Sequence, residues 1–141
     1  MSRITHVLDT TALLAHYFDE PGAELVQGLW SDGSSRLAIS AVTVTELKGR
    51  LHGEIANDAE AAGAVDAYLN ELTTCLPVDR ATAEIAWQLR HAAANRLPLV
   101  DALIAATARK AEAVLVHRDP HMSQISPGLV RQIALAEKAA P

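Results

Sequence analysis

The sequence predicts an α/β fold, one domain built on a parallel sheet with helices on both faces. Three observations carry that expectation. Short apolar runs rich in valine and isoleucine alternate with longer stretches at helical spacing, the order that strand-helix-strand units impose. The 141 residues suffice for one domain with a core of its own, without disulfides or metals as staples. Half of the residues are hydrophobic, so the chain is globular rather than disordered.

The first strand is expected over Ile4 to Leu8, a β-branched run too short for a buried helix, which stops on Asp9-Thr10-Thr11. That tripeptide suits the exit from a strand and the cap of a helix, and Ala12 to Phe18 continue at helical spacing. Asp19-Glu20-Pro21-Gly22 reads as a turn whose proline starts a second helix, with Leu25, Val26, Leu29 and Trp30 as its apolar stripe. After the loop Ser31 to Ser35, Arg36 to Ile39 is the second strand and Ser40 caps a helix from Ala41 to Ile55. An amphipathic helix from Asn57 to Thr74 follows, its charges on a solvated face. Cys75 to Val78 is the third strand, and Asp79 caps a helix that fades at Ala94-Asn95. The helix from Leu99 to Ala108 is small or apolar nearly all round and is expected to be buried, with Pro98 in its first turn. Ala113 to Val116 is the fourth strand, and Val130 to Leu135 a fifth, at an edge. The domain is expected over residues 1–135, with a short tail at 136–141.

Composition narrows the function. The net charge of −5 argues against a simple basic nucleic-acid binder, and an aromatic content of 4% argues against base stacking on exposed rings. The single cysteine, Cys75, lies in an apolar stretch and is expected to be a buried thiol, which suits a reducing cytoplasm. No run has secretory or transmembrane character, so a cytoplasmic protein with no membrane role is expected.

Four carboxylates carry chemistry. Asp101 opens the apolar helix, where an ionised aspartate wants a partner, although complementing the helix's positive end would also explain it. Asp9 and Asp119 each end a strand, as a cap or turn former does, while Glu46 rides the helix after the second strand and has Arg50 at i+4. All four can face the carboxyl edge of one sheet, where α/β proteins bind ligands. Acids crowded there repel unless a cation compensates, and Mg²⁺ or Mn²⁺ is the hard ion that oxygen ligands take. Such an ion acidifies water and offsets charge on a phosphorane-like transition state, so the set suggests phosphodiester hydrolysis.

The combination of Val7-Leu8-Asp9-Thr10-Thr11-Ala12-Leu13-Leu14, Thr43-Val44-Thr45-Glu46-Leu47, Leu97-Pro98-Leu99-Val100-Asp101-Ala102-Leu103-Ile104-Ala105-Ala106-Thr107-Ala108 and Val116-His117-Arg118-Asp119-Pro120 resembles the PIN-domain family, and within it the VapC-type toxins of toxin-antitoxin modules. The motifs follow the family's order and typical spacings and span essentially the whole chain. The resemblance implies a sheet ordered 3-2-1-4-5 and a metal-dependent ribonuclease that acts on RNA as a homodimer and is inhibited by a cognate VapB-like antitoxin. It implies that Asp9, Glu46, Asp101 and Asp119 hold Mg²⁺ or Mn²⁺, with a hydroxyl from Thr11, or from Thr10, supporting the site. One departure stands out: many relatives carry a small hydroxyl or amide residue where this chain has His117.

Around the acids, Lys48, Arg50, Arg96 and Arg118 are candidates for holding RNA phosphates, Arg118 foremost because it adjoins Asp119. His117, Asp119 and His121 alternate, which also suggests a transition-metal site, while His6, His16, His52 and His91 read as ordinary structural residues. Two other functions fit less well. A magnesium phosphatase of the haloacid-dehalogenase kind wants a second aspartate where Thr11 stands, and a non-catalytic RNA- or protein-binding domain would not need four acids.

Overall fold

The structure, a computed structural model, describes residues 3–137; of the tail expected at 136–141, residues 138–141 lie outside the described residues. Among the described residues, five strands pair side by side, all parallel: β1 (His6–Leu8), β2 (Leu37–Ser40), β3 (Thr74–Leu76), β4 (Val114–His117) and β5 (Gln132–Ala134). Their order is β3-β2-β1-β4-β5, as expected. The helices are α1 (Thr10–Tyr17), α2 (Ala23–Ser31), α3 (Ala41–Glu54), α4 (Asp58–Asp66), α5 (Arg80–Ala92), α6 (Leu99–Lys110) and α7 (Pro120–Ser123).

Alternation along the short strands divides the core in two. Val7, Ala38 and Leu115 point to the face covered by Ala86 and Leu89 of α5 and Ala102, Ile104 and Ala105 of α6. Their neighbours Leu8, Ile39 and Val116 point to the other face, against Leu13 of α1, Val26 of α2, Leu47 and Leu51 of α3 and Val65 of α4. Because β1, β2 and β4 are buried on both sides, they read as unbroken apolar runs rather than as alternating ones.

Polar caps set where the helices begin. Asp9, Ser40, Asn57, Asp79 and Asp119 each accept a backbone N–H of the first turn, a device worth about 1 kcal/mol per helix. The second helix starts differently: Gly22, not Pro21, is its cap, with φ +98°. A β-carbon at Gly22 would lie 2.9 Å from Leu135 Cβ, so both the backbone conformation and the packing of the chain after β5 require glycine there.

Several expectations are corrected. The long helix after Asn57 ends at Asp66 and gives way to a π-helical stretch, Ala67–Leu72. Cys75 is exposed, because β3 is an edge strand with only β2 beside it. The first turn of α6 is not buried all round: Leu99 is 56% and Val100 36% exposed, while Ala102 and Ile104 to Ala108 form the buried part. Pro98 is the residue that caps α6 and stands just before it rather than within its first turn.

Candidate active site

The site grows from the place where the chain changes direction across the sheet. From β1 it proceeds through α1 and α2 to β2 on one side, and from β4 it proceeds to β5 on the other, leaving a crevice at the carboxyl ends of β1 and β4. Leu8 is in register with Val116, and the Asp9 N–H donates to the Val116 carbonyl at 3.1 Å. Asp9 and, three residues beyond Val116, Asp119 therefore leave the sheet side by side. Ser40 turns the chain into α3, which carries Glu46, and α6 brings Asp101 in its first turn. These four acids, with Thr10 and Thr11, line one cleft of about 260 Å³.

The electrostatics are those of crowded acids. Asp9 is 2% exposed, and burial pushes its carboxyl up to about 7; hydrogen bonds from Thr11 and the Ala12 N–H act against this, and the charges of Asp119 and Asp101 add to it. Asp101 is raised to about 6, first by burial, then by the charge of Asp119 and a hydrogen bond with it, and by Glu46. Among the described residues, no lysine or arginine forms an ion pair with any of the four. Arg50 turns to Glu54 at 2.7 Å instead of to Glu46. A set of hard oxygen donors with no lysine or arginine paired to it fits a divalent cation such as Mg²⁺ or Mn²⁺.

The two threonines have separate tasks. Thr11 Oγ1 lies 2.7 and 2.8 Å from the two Asp9 oxygens and accepts the Arg118 N–H at 2.8 Å, so it ties α1 to the chain leaving β4. Thr10 donates to Glu46 Oε1 at 2.8 Å and thereby orients the acid of α3. Asp9 is both a cap and a wall of the cleft: its Oδ1 accepts the Ala12 N–H at 2.8 Å.

The histidines at the end of β4 and beyond it do not act together. His117 is fully buried, its Nδ1 accepts the Asp119 N–H at 3.0 Å, and its Nε2 donates to Gln132 Oε1 at 2.7 Å. Gln132 in turn donates to the Ile125 carbonyl at 2.8 Å. Burial lowers the His117 pKa, which keeps the ring neutral in this role. His117 thus braces the Asp119 segment. His121 Nδ1 lies instead 3.3 Å from Asp119 Oδ1 and 3.9 Å from Asp101 Oδ2. Gln132 escaped the sequence reading; its signal is a lone amide in an otherwise apolar edge strand.

The basic candidates scatter. Arg118 is turned away to Glu20, at 2.8 Å, in a pair whose side chains are 12% and 15% exposed. Lys48 lines a different groove, with His52 and Asp66. Arg96 lies ahead of α6, where its carbonyl accepts from Gln124. Of the four, Arg50 lines the acidic cleft.

The PIN domain family model matches residues 6–126. The chain belongs to the PIN domain family. Among curated protein sequences, none matches significantly. Solved structures do. The PIN domain is similar to VapBC2 from Rickettsia felis, bound to a DNA fragment from its promoter, with TM-score 0.76 and 16% identity over 94% of this chain and 100% of that one. It is similar to DNA-bound VapBC from Salmonella typhimurium, with TM-score 0.74 and 22% identity over 93% and 98%. A third likeness is to VapC20 from Mycobacterium tuberculosis, a sarcin-ricin-loop-cleaving toxin, with TM-score 0.60 and 20% identity over 79% and 87%. At these identities the likeness is one of fold. Among the described residues of this PIN domain, no helix is long and apolar enough to cross a membrane.

Proposed function

We propose that this PIN domain is a divalent-metal-dependent endoribonuclease of the VapC type, hydrolysing phosphodiester bonds of RNA in the cytoplasm as a homodimer and held inactive by a VapB-like antitoxin. One observation carries the reading: Asp9, Glu46, Asp101 and Asp119, from four separate segments, share one cleft, and among the described residues no lysine or arginine pairs with any of them. These carboxylates would hold Mg²⁺ or Mn²⁺, and such an ion supplies charge neutralisation and Lewis acidity toward phosphoryl oxygens. Thr11 and Thr10 keep Asp9 and Glu46 aimed into the cleft. His117 and Gln132 hold the Asp119 backbone at its edge. Arg50, on the rim, is placed to meet a phosphate of the incoming strand. With a net charge of −5, the domain depends on the cation to bring a polyanion to the acids. The similarity of fold to VapBC complexes and to an RNA-cleaving VapC supports the substrate class and the partner.

The test is cleavage of total cellular RNA by purified, antitoxin-free protein, with Mg²⁺ or Mn²⁺ against EDTA and with Asp101→Asn beside the wild type. Discrete fragments that require the metal and disappear in the variant are expected. RNA binding that ignores both metal and variant, without cleavage, would replace the nuclease by a binding domain.

A further inference from the structure

We infer that His121 is a nitrogen ligand of the cleft's metal ion, so that the site takes a divalent transition ion in preference to Mg²⁺. The inference rests on the metal-dependent reading above and deepens it. Read as a continued strand, residues 117 to 121 would place both histidines on the same side as Asp119. The structure separates them. β4 ends at His117, whose two ring nitrogens are both engaged, one by the Asp119 N–H and one by Gln132. Pro120 then opens α7, and the turn brings His121 back to the acids. Asp119 Oδ1 accepts the His121 N–H at 2.8 Å, which fixes where the ring begins.

The resulting spacing is that of ligands around one ion. One ring nitrogen of His121 and one oxygen from each of Asp101 and Asp119 lie within 4.8 Å of one another. The two distances from Nδ1, 3.3 and 3.9 Å, fall between the separations of adjacent and opposite ligands, about 3.0 and about 4.2 Å, in an octahedron with bonds of about 2.1 Å. The plain alternative is an ion pair between an imidazolium and two carboxylates. His121 is 57% exposed on its side chain, and an ion pair so open to water contributes little. Coordination gives the same geometry a consequence an ion pair lacks. Mg²⁺ prefers oxygen donors, whereas an imidazole nitrogen strengthens binding of transition ions along the Irving–Williams order; Mn²⁺, at the weak end of that order, is the paramagnetic probe and sets the lower bound of the effect. The carboxylates alone would make a site for either ion; the histidine biases it.

The experiment uses the full chain, stripped of metal, at a pH where imidazole is neutral. Mn²⁺ is titrated in and followed by its electron paramagnetic resonance, with Mg²⁺ as competitor, for the wild type, His121→Ala, His121→Gln and Asp101→Asn. Circular dichroism checks each fold. Spin-echo modulation from one ¹⁴N nucleus is expected on Mn²⁺ in the wild type and not in either His121 variant. Mn²⁺ affinity should fall about tenfold or more in His121→Ala, with Mg²⁺ affinity changed much less. Mn²⁺ binding that needs Asp101 but shows no ¹⁴N signal, or equal losses for both ions, overturns the role of His121 and leaves the acid site standing. A folded wild type that binds neither ion, or binds them regardless of Asp101, overturns the metal reading itself and this inference with it.

Discussion

Replacing Asp9 by asparagine should make the metal-free protein more stable at neutral and alkaline pH, the reverse of what deleting a buried, hydrogen-bonded side chain usually does. Burial moves this carboxyl from 3.8 to about 7. Between those values the folded protein holds a proton that the unfolded chain has released, so stability falls as pH rises through the window, by about 1.4 kcal/mol per pH unit. Below the window both states are protonated and the residue contributes no pH dependence. Above about 7 the loss is complete, and the shift of roughly 3 units makes it about 4 kcal/mol. Asparagine keeps an oxygen for the Ala12 N–H but loses part of the Thr11 interaction, about 1 kcal/mol, leaving a net gain of about 3 kcal/mol at pH 8. Urea denaturation in EDTA at about pH 4.5 and about pH 8 measures the gap; the variant should match or slightly trail the wild type at the lower pH and exceed it at the higher. Adding Mn²⁺ or Mg²⁺ should stabilise the wild type and not the variant, by mass action on a site that only the wild type keeps intact. A variant that is destabilised by the same amount at both pH values would refute the account of Asp9 as a strained buried carboxylate.

Three other perturbations test the frame around the acids. Thr11→Val orphans the Arg118 N–H and removes both contacts to Asp9, so we expect a loss of about 1–3 kcal/mol in denaturation and a more than tenfold drop in initial RNA cleavage rate, with Thr11→Ser restoring both. Leu8→Ala, at the fully buried carboxyl end of β1, should cost about 2–5 kcal/mol by the same denaturation assay, and a change under 1 kcal/mol would contradict the packing of that face. Gly22→Ala meets Leu135 at 2.9 Å with φ +98°, and a loss of about 1–3 kcal/mol is expected in thermal unfolding; an unchanged midpoint would mean that this contact yields freely.

Much of this was legible in sequence because it depends on neighbours along the chain. Strand exits marked by Asp9 and Ser40, helix starts at Asp79 and Asp119, and the order of elements are local chemistry, and they fix where each acid leaves the sheet. What was not legible depends on partners far away. Arg118 looked free to hold RNA because nothing near it in sequence is acidic beyond Asp119, yet Glu20, 98 residues earlier, takes its guanidinium. Leu99 and Val100 follow the apolar pattern of α6 but stand in its exposed first turn, which no periodicity within the helix can show. Cys75 reads as core and proves to be edge, because burial of a strand is decided by how many neighbours it has. The separate roles of His117 and His121 turn on where β4 stops and α7 begins, a matter of a single residue, Pro120.

The position of β1 between β2 and β4 also orders events in time. Asp9 is synthesised about a hundred residues before its neighbouring strand β4 and the brace at Gln132. A nascent chain that has made β1, β2 and β3 has three of its strands but only one flank of the crevice. The four carboxylates converge only once β4 has paired with β1, so the cleft is completed by a long-range strand pairing rather than by the segment that carries Asp9.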